Sequence, residues 1–231
     1  MRLDKLLGDY LNSRSSAKKE IKSGKVLVNG ITTKKNDTQI NKNDIVLYNG
    51  KEVKDEFIYY MLNKPKGVVS ATRDNVYKTV IDLIVNEDKV RNLFPVGRLD
   101  VDTTGLLIIT NNGQFAHNTL SPKKHVSKKY YVTLKSDIQE SYIEKFKEGI
   151  KISNSEQCKP AILEIINTKE CKLEIFEGKF HQVKKMFLAV GNEVCELKRI
   201  SFGALKLDET LNEGDYRLLK NEEKELLEII E

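Results

Sequence analysis

The side chains best suited to chemistry lie in one polar segment, residues 97–113. Asp100 and Asp102 stand two positions apart, Arg98 precedes them, and two threonines and a glycine follow. A polar loop joined to an apolar strand can hold a charged group at the rim of a core, where water screens its field only weakly. Asp100 is therefore the first residue that we consider as a catalyst.

On the residues alone, three interpretations of Asp100 stay open. The loop is an ordinary turn if its Asp and Thr side chains bond to nearby backbone amides. Asp100 and Asp102 are a metal-binding pair, as in nucleotide-sugar transfer, only if further oxygen ligands come from elsewhere. In the third interpretation Asp100 is a nucleophile at a sugar or base carbon, and Arg98 holds a phosphate group.

The hydrophobic pattern predicts the elements that must position this loop. Residues 106–109 form an unbroken apolar run between two turns, which is typical of a strand that is buried on both faces. A helix is predicted for residues 180–191, with Lys184 at the margin of its buried face and Gly191 as its end. The buried face comprises Phe180, Val183, Met186, Phe187 and Val190.

Short strands and helices are predicted for the rest of the segment 58–231. Strands are predicted at 58–62, 128–134, 161–166, 172–176, 193–201 and 203–207, and helices at 80–84, 114–120, 137–147 and 221–230. Pro65 and Gly67 predict a turn at 63–67.

The positive charge is concentrated at the N-terminus. The 231 residues carry a formal net charge of +5, which alone does not indicate a nucleic-acid-binding protein. Residues 1–35 hold nine Lys or Arg against three acids, a surplus of six, so the remaining residues net −1. Together with two predicted helices, an Asn29-Gly30 hairpin turn and a strand at 44–48, this charge makes residues 1–48 a compact basic module.

Basic residues surround the second helix of this module. A row of helical lysines is commonly just a solvated face. Because Arg14 precedes the helix and Lys25 follows it, we prefer a surface that tracks nucleic-acid phosphates. Its members are Arg14, Lys18, Lys19, Lys22 and Lys25. We expect a small domain at 1–48, a polar linker at 49–57 and a larger domain at 58–231.

The cysteines and apolar runs bear on location. Three cysteines, without the close spacing of a zinc site, are predicted to be reduced core thiols. No apolar run resembles a signal peptide or is long enough to cross a membrane. We therefore expect a cytoplasmic protein without a membrane partner.

Longer stretches resemble a known family. Gly97-Arg98-Leu99-Asp100, followed by Asp102-Thr103-Thr104-Gly105-Leu106-Leu107, resembles the signature loop of the RNA pseudouridine synthases. Leu62-Asn63-Lys64-Pro65-Lys66-Gly67 is similar to the opening of that family's catalytic domain. Residues 1–48 resemble an RNA-binding fold first known from a ribosomal small-subunit protein. The resemblance implies an α+β fold, in which a small α/β RNA-binding domain precedes a catalytic domain built on a mainly antiparallel mixed sheet.

The resemblance also implies roles for single residues. Asp100 would attack the ribose or the base of a flipped-out uridine, and Lys184 would hold it ionised and oriented. Tyr130, with Tyr131 as the alternative, would stack on the base or move a proton. Arg98 would fill the gap in the RNA or grip the adjacent phosphate. No metal and no cofactor are implied.

Three nearby groups are expected to be structural. We interpret Asp102 and the Thr103-Thr104 hydroxyls as residues that shape the loop. We interpret His181 as a hydrogen-bonded histidine at the edge of the core rather than a general base.

The sequence around Gln114, His117 and 181–184 is most similar to the branch of the family that acts on small-subunit rRNA. The implied activity is isomerisation of a specific uridine in 16S (small-subunit) rRNA, and the implied partner is that RNA or a small-subunit assembly particle, bound by a monomer. A large-subunit rRNA enzyme, a non-catalytic rRNA-binding assembly factor and a metal-dependent glycosyltransferase are the alternatives.

Overall fold

The fold is taken from a computed structural model, which describes residues 1–11, 13–41, 43–53, 57–84, 92–121 and 126–227. The helices in these ranges are α1 (Leu3–Tyr10), α2 (Arg14–Lys22), a 3-10 helix (Val80–Leu83), α3 (Gly113–Leu120), α4 (Ser141–Glu148), α5 (Gln182–Ala189) and α6 (Asn221–Leu226). Among them, no helix has the length and apolar character needed to span a membrane.

The strands form two sheets. The small sheet contains β1 (Val26–Val28), β2 (Ile31–Thr32), β3 (Val46–Tyr48) and β4 (Lys51–Glu52). The large sheet contains β5 (Tyr59–Lys64), β6 (Phe94–Pro95), β7 (Thr104–Thr110), β8 (Lys128–Leu134), β9 (Ile162–Ile165), β10 (Glu170–Ile175), β11 (Val194–Phe202), β12 (Leu205–Lys206) and β13 (Tyr216–Leu218).

The small sheet is antiparallel in the order β2-β1-β3-β4, and α1 and α2 share a hydrophobic core with it. The helices contribute Leu3, Leu7 and Ile21 to this core, and the strand β1 contributes Val26. The side chain of Ser13 caps α2 by accepting a hydrogen bond from the backbone amide of Ser16. The N-terminal segment thus has a core of its own.

Two hairpins of the same kind shape this sheet. Asn29-Gly30 and Asn49-Gly50 both have positive φ angles, as a tight two-residue hairpin turn requires. Only the first of these turns was expected. Residues 49–53, assigned to a linker by their polarity, instead form the second turn and β4, and Val53 is buried in the small core. A two-residue polar strand is too short to show an alternating pattern.

The large sheet has the order β13-β5-β7-β11-β8-β10-β9, with β12 paired to β11 and β6 paired to β7. The pair β7–β11 is parallel, whereas the other described pairs are antiparallel. This arrangement confirms the predicted α+β class with a mainly antiparallel mixed sheet.

Both faces of β5 and β7 are buried, which confirms the prediction for residues 106–109. Leu107 and Ile109 face one hydrophobic cluster, and Leu106 and Ile108 face another on the opposite side of the sheet. Full burial of each such side chain contributes about 1.5–3 kcal/mol. The strand that follows the polar loop is therefore firmly anchored.

Several predicted bounds were wrong. Lys64 was expected in a turn but is the last residue of β5, α4 begins at Ser141 rather than at 137, and β13 was not predicted at all. Phe180 precedes α5 and is 72% exposed, so it does not belong to the helix's buried face. Cys195, expected in the core, is exposed. The predicted end of the last helix, residues 228–230, lies outside the described residues.

Candidate active site

Two segments that are distant in sequence meet because β7 and β11 run parallel. Lys198 lies opposite Thr104, and Arg199 lies opposite Gly105. Neighbouring parallel strands start from the same edge of a sheet. Residues 97–103, which we call the Asp100 loop, lead into β7, and α5 leads into β11. The loop and the helix therefore arrive at one edge.

Lys184 of α5 lies between two carboxylates of this loop. Its Nζ is 3.5 Å from Oδ2 of Asp100 and 2.5 Å from Oδ1 of Asp102. Burial alone would raise the pKa of Asp102, but the hydrogen bond and the charge of Lys184 lower that pKa below its ordinary value. Asp102, expected only to shape the loop, is thus an ion-pair partner of Lys184.

His181 is the second group beside Asp100. Its Nε2 lies 3.6 Å from Oδ1 of Asp100, and its side chain is 41% exposed. The residue precedes α5 with φ 52° and ψ 33°, a left-handed conformation that costs a residue other than glycine about 1–3 kcal/mol and recurs at functional sites. The partly buried side chain agrees with the expected position at the edge of the core, but the closeness of His181 to Asp100 was not expected.

Lys64 binds the backbone of the Asp100 loop. The residue is fully buried, and its Nζ donates hydrogen bonds to the carbonyl oxygens of Thr103 at 2.8 Å, Pro65 at 3.0 Å and Val101 at 3.4 Å. Burial lowers the pKa of Lys64 to about 8, although the charges of Asp102 and Asp100 act to raise it. The end of β5 is therefore tied to the loop that carries Asp100.

Ser70 holds the backbone of the loop at Leu99. Its hydroxyl both donates to the carbonyl oxygen of Leu99 and accepts from the amide of Leu99, each at 2.9 Å. The expected role of the threonine hydroxyls was wrong for Thr103, whose Oγ1 is buried without a hydrogen-bond partner in the described part of the chain. Lys64 and Ser70 bind the loop's backbone instead.

Tyr130 lies on β8 and is almost fully buried, opposite Arg199 of β11. A hydrogen bond joins the two side chains, and Nε of Arg199 also donates to the carbonyl of Leu106 at 2.7 Å. Burial lowers the pKa of Arg199, while Tyr130 acts to raise it. Tyr130 packs in the same core cluster as Leu99, but no described hydrogen bond joins it to Asp100.

The side chain of Tyr131 points to the opposite face of β8 from that of Tyr130. It is hydrogen-bonded to Glu170, and this contact raises the pKa of Tyr131. Since alternate residues of a strand point to opposite faces, Tyr130 but not Tyr131 packs in the core cluster that contains Leu99.

Gly105 allows β7 and β11 to approach at the level of the site. Its φ is +100°, and a Cβ atom there would lie 2.3 Å from the carbonyl oxygen of Arg199. No other residue fits this position without moving a strand.

The predicted RNA-binding residues lie on the surface. Arg98 is exposed two positions from Asp100, with no ion-pair partner in the described ranges. Arg14, Lys18, Lys19, Lys22 and Lys25 are all exposed. Lys25 also forms an ion pair with Glu20, with Nζ 2.8 Å from Oε2.

Sequence reasoning missed Lys64, Arg199 and the position of His181. Pro65 predicted a turn at this point, so the place of Lys64 at the end of a strand was not recognised. Nothing local in the sequence reveals the partner of Arg199 across the sheet. Among the described residues, no group of three or more His, Cys, Asp or Glu side chains is placed to hold a metal ion.

Comparisons with known proteins agree with this architecture. A family model described as RNA pseudouridylate synthase matches residues 58–189, and an S4 domain model matches residues 1–46. A solved structure described as a crystal structure of pseudouridylate synthase is 40% identical, with a TM-score of 0.71, and the match covers 98% of this chain and 99% of that one.

Relatives of similar length carry related names. The Bacillus subtilis protein named "Uncharacterized RNA pseudouridine synthase YtzG" is 45% identical, over 98% of each chain. "Ribosomal small subunit pseudouridine synthase A" of Vibrio parahaemolyticus is 46% identical over 96% of this chain and 97% of its own. The protein of that name from Escherichia coli is 40% identical over 96% and 98%. The loop and helix described above therefore lie in a chain that belongs to the RNA pseudouridylate synthase family.

Proposed function

We propose that this protein isomerises a specific uridine to pseudouridine in small-subunit (16S) rRNA, with Asp100 as the nucleophile. The names of the relatives from Vibrio parahaemolyticus and Escherichia coli specify the small ribosomal subunit, which supports this substrate. The mechanism rests on one observation, the ion pair of Lys184 with Asp100 at 3.5 Å. A carboxylate that is accessible and steadied by a lysine suits nucleophilic attack.

The reaction exchanges one bond of the base for another. The bond between C1′ of the ribose and N1 of the uracil breaks, the base rotates, and C5 then bonds to C1′. A proton leaves C5 and a proton is gained at N1, so the isomerisation needs no oxidant or reductant. Asp100 bonds transiently to the ribose or to the base, and Lys184 holds it in place.

Tyr130 and Arg98 complete the site in this proposal. Tyr130 stacks on the uracil or carries a proton, and its place in the core cluster that also contains Leu99 of the Asp100 loop supports this choice over Tyr131. Flipping the uridine out of the RNA costs a few kcal/mol. The exposed guanidinium of Arg98 can offset part of that cost by stacking in the gap or binding the adjacent phosphate.

We also propose a division of labour along the chain. Residues 1–53 bind rRNA or a small-subunit assembly particle, and residues 58–231 carry out the reaction. The separate N-terminal core and the S4 match at 1–46 support this division. The RNA-contacting surface comprises Arg14, Lys18, Lys19, Lys22 and Lys25. Because one chain supplies both Asp100 and Lys184, a monomer suffices for the reaction. We place this monomer in the cytoplasm.

Mapping of new pseudouridines tests the proposal. Unmodified transcripts of small-subunit and large-subunit rRNA are incubated with the protein, and pseudouridines are located by chemical modification and primer extension. We expect one new pseudouridine in the small-subunit transcript or in its assembly particle. A product in the large-subunit transcript alone would contradict the proposed small-subunit substrate.

The matched variant is Asp100→Asn, which removes the charge but keeps the size of the side chain. We expect RNA binding to be retained and product formation to fall at least about a thousandfold. Unchanged product would remove Asp100 from the mechanism. If the wild-type protein bound the RNA and modified neither transcript nor particle, the assembly-factor alternative would be favoured.

A further inference from the structure

Phe180 is an aromatic residue that the proposed mechanism does not use. Its side chain is 72% exposed, although its neighbours Val183 and Met186 on α5 are buried. A single exposed apolar side chain is ordinary on a protein surface, so the case for a binding surface depends on the groups around this ring.

The ring of Phe180 lies flat against the ring of His181. The centroids are 3.8 Å apart and the planes are inclined by 21°. Nζ of Lys185 lies 5.3 Å from the centroid of Phe180 and 3.7 Å from Oε2 of Glu156, an ion pair that an RNA phosphate would have to replace or share. These residues combine a flat aromatic surface with a cation, which is the composition that proteins use to bind unpaired nucleotides.

The turn before α5 is held in advance of any ligand. The buried side chain of Gln182 accepts a hydrogen bond from the amide of Lys179 at 2.9 Å and donates one to Glu177 at 3.0 Å. The carboxylate of Glu177 also accepts from the amide of Lys159 at 2.9 Å. The left-handed backbone of His181 is therefore maintained by its surroundings, and binding does not have to order it.

The position of this surface relative to Asp100 identifies the ligand. Nε2 of His181 lies 3.6 Å from Oδ1 of Asp100, so the histidine stands between the carboxylate and the ring of Phe180. A nucleotide adjacent to a uridine bound at Asp100 would therefore meet this surface. We propose that the Phe180–His181 stack is a platform for the nucleobase adjacent to the target uridine, with Lys185 near its phosphate. This inference rests on the proposed function, since it takes Asp100 as the centre of reaction.

Binding of small probes to the Asp100→Asn protein tests the platform without turnover. The probes are uridine 5′-monophosphate and the dinucleotides ApU and UpA, titrated by calorimetry or by NMR. Stacking of a base on an aromatic side chain corresponds to about a fivefold or greater gain in affinity. We expect one dinucleotide to bind at least about fivefold more tightly than the mononucleotide.

A second substitution assigns that gain to Phe180. In the Asp100→Asn background, Phe180→Leu should remove the gain of the dinucleotide and leave mononucleotide affinity unchanged, whereas Phe180→Tyr should retain the gain. Leu188→Ala is the control, because Leu188 is a similarly exposed apolar residue of α5. Circular dichroism checks that each variant is folded.

Two results would overturn the platform: a gain that persists in Phe180→Leu, or dinucleotides that bind no better than the mononucleotide. Neither depends on product formation. A failure of the proposed function, seen as absence of pseudouridine with the wild-type protein, is therefore a separate outcome.

Discussion

Lys184 is bound more closely by Asp102 than by Asp100, with Nζ to oxygen distances of 2.5 Å and 3.5 Å. The lysine is thus held by the one carboxylate and presented to the other. In the proposed mechanism, Asp100 can therefore leave its ion pair, while the closer contact with Asp102 keeps the ammonium group of Lys184 in place.

The first prediction concerns this division between the two carboxylates. Asp102→Asn should lower kcat by less than about tenfold, because Lys184 can still pair with Asp100. Lys184→Met should lower kcat by about a hundredfold, since Asp100 then loses the cation that orients it. Single-turnover assays on the rRNA transcript measure both. Lys184→Arg, which keeps the charge, is the control. A larger loss in Asp102→Asn than in Lys184→Met would contradict this order.

The second prediction concerns the buried lysine below the loop. Lys64→Met leaves carbonyl oxygens without their donor and should destabilise the protein by about 1–3 kcal/mol at neutral pH. The free energy of unfolding, measured in urea, reports this change. Lys66→Met is the control, because Lys66 is exposed. Equal effects of the two substitutions would argue against the role of Lys64.

The same lysine predicts a dependence of stability on pH. The pKa of Lys64 falls from 10.5 in the unfolded chain to about 8 in the folded protein. Between these values the unfolded chain binds more protons, so a rise in pH favours the folded state. Relative to Lys64→Met, the wild-type protein should gain about 1–3 kcal/mol between pH 8 and pH 10.5. A difference that stays constant over this window would contradict the lowered pKa.

The third prediction concerns the contact between β7 and β11. Gly105→Ala places a Cβ atom 2.3 Å from the carbonyl oxygen of Arg199 and should destabilise the protein by about 3 kcal/mol or more. Gly113→Ala, at the start of α3, is the matched control, because a Cβ atom added there would have no described neighbour within 4 Å. Thermal and urea denaturation compare the two, and a fully stable Gly105→Ala protein would contradict the close approach.

The fourth prediction concerns RNA binding by α2. Lys18→Ala combined with Lys22→Ala should weaken rRNA binding and reduce the slope of log affinity against log salt by about 1.5, as fewer counterions are released. Lys147→Ala combined with Lys169→Ala removes the same charge from exposed positions elsewhere and is the control. If both double variants show the same slope as the wild type, the lysines of α2 form only a solvated face.

Local patterns predicted the elements that have strong local signals. The apolar run 106–109 predicted β7, and the Asn29-Gly30 turn predicted the first hairpin. The turn at Asn49-Gly50 carries the same signal, but the strand that follows it, β4, has only two polar residues and shows no pattern. Phe180 fits the helical spacing of the residues that follow it, yet the helix starts two residues later and leaves the ring in solvent.

The site was only partly predictable, because its contacts cross the sheet. The resemblance to a family indicated Asp100, Lys184 and Tyr130, whose roles remain proposals. Lys64 was hidden by a turn signal at Pro65, and the pairing of Arg199 with Tyr130 depends on the register of β11 against β8. Such partners become visible only once the strand order is known.

The parallel pairing of β7 with β11 also bears on how the molecule is made. A chain growing on the ribosome contains Asp100, Tyr130 and Lys184 before residue 194 is added, yet it still lacks the strand that aligns the loop with the helix. We therefore expect the nascent protein to contain every proposed reactive group before the loop and the helix are aligned, and to become active only when β11 pairs between β7 and β8.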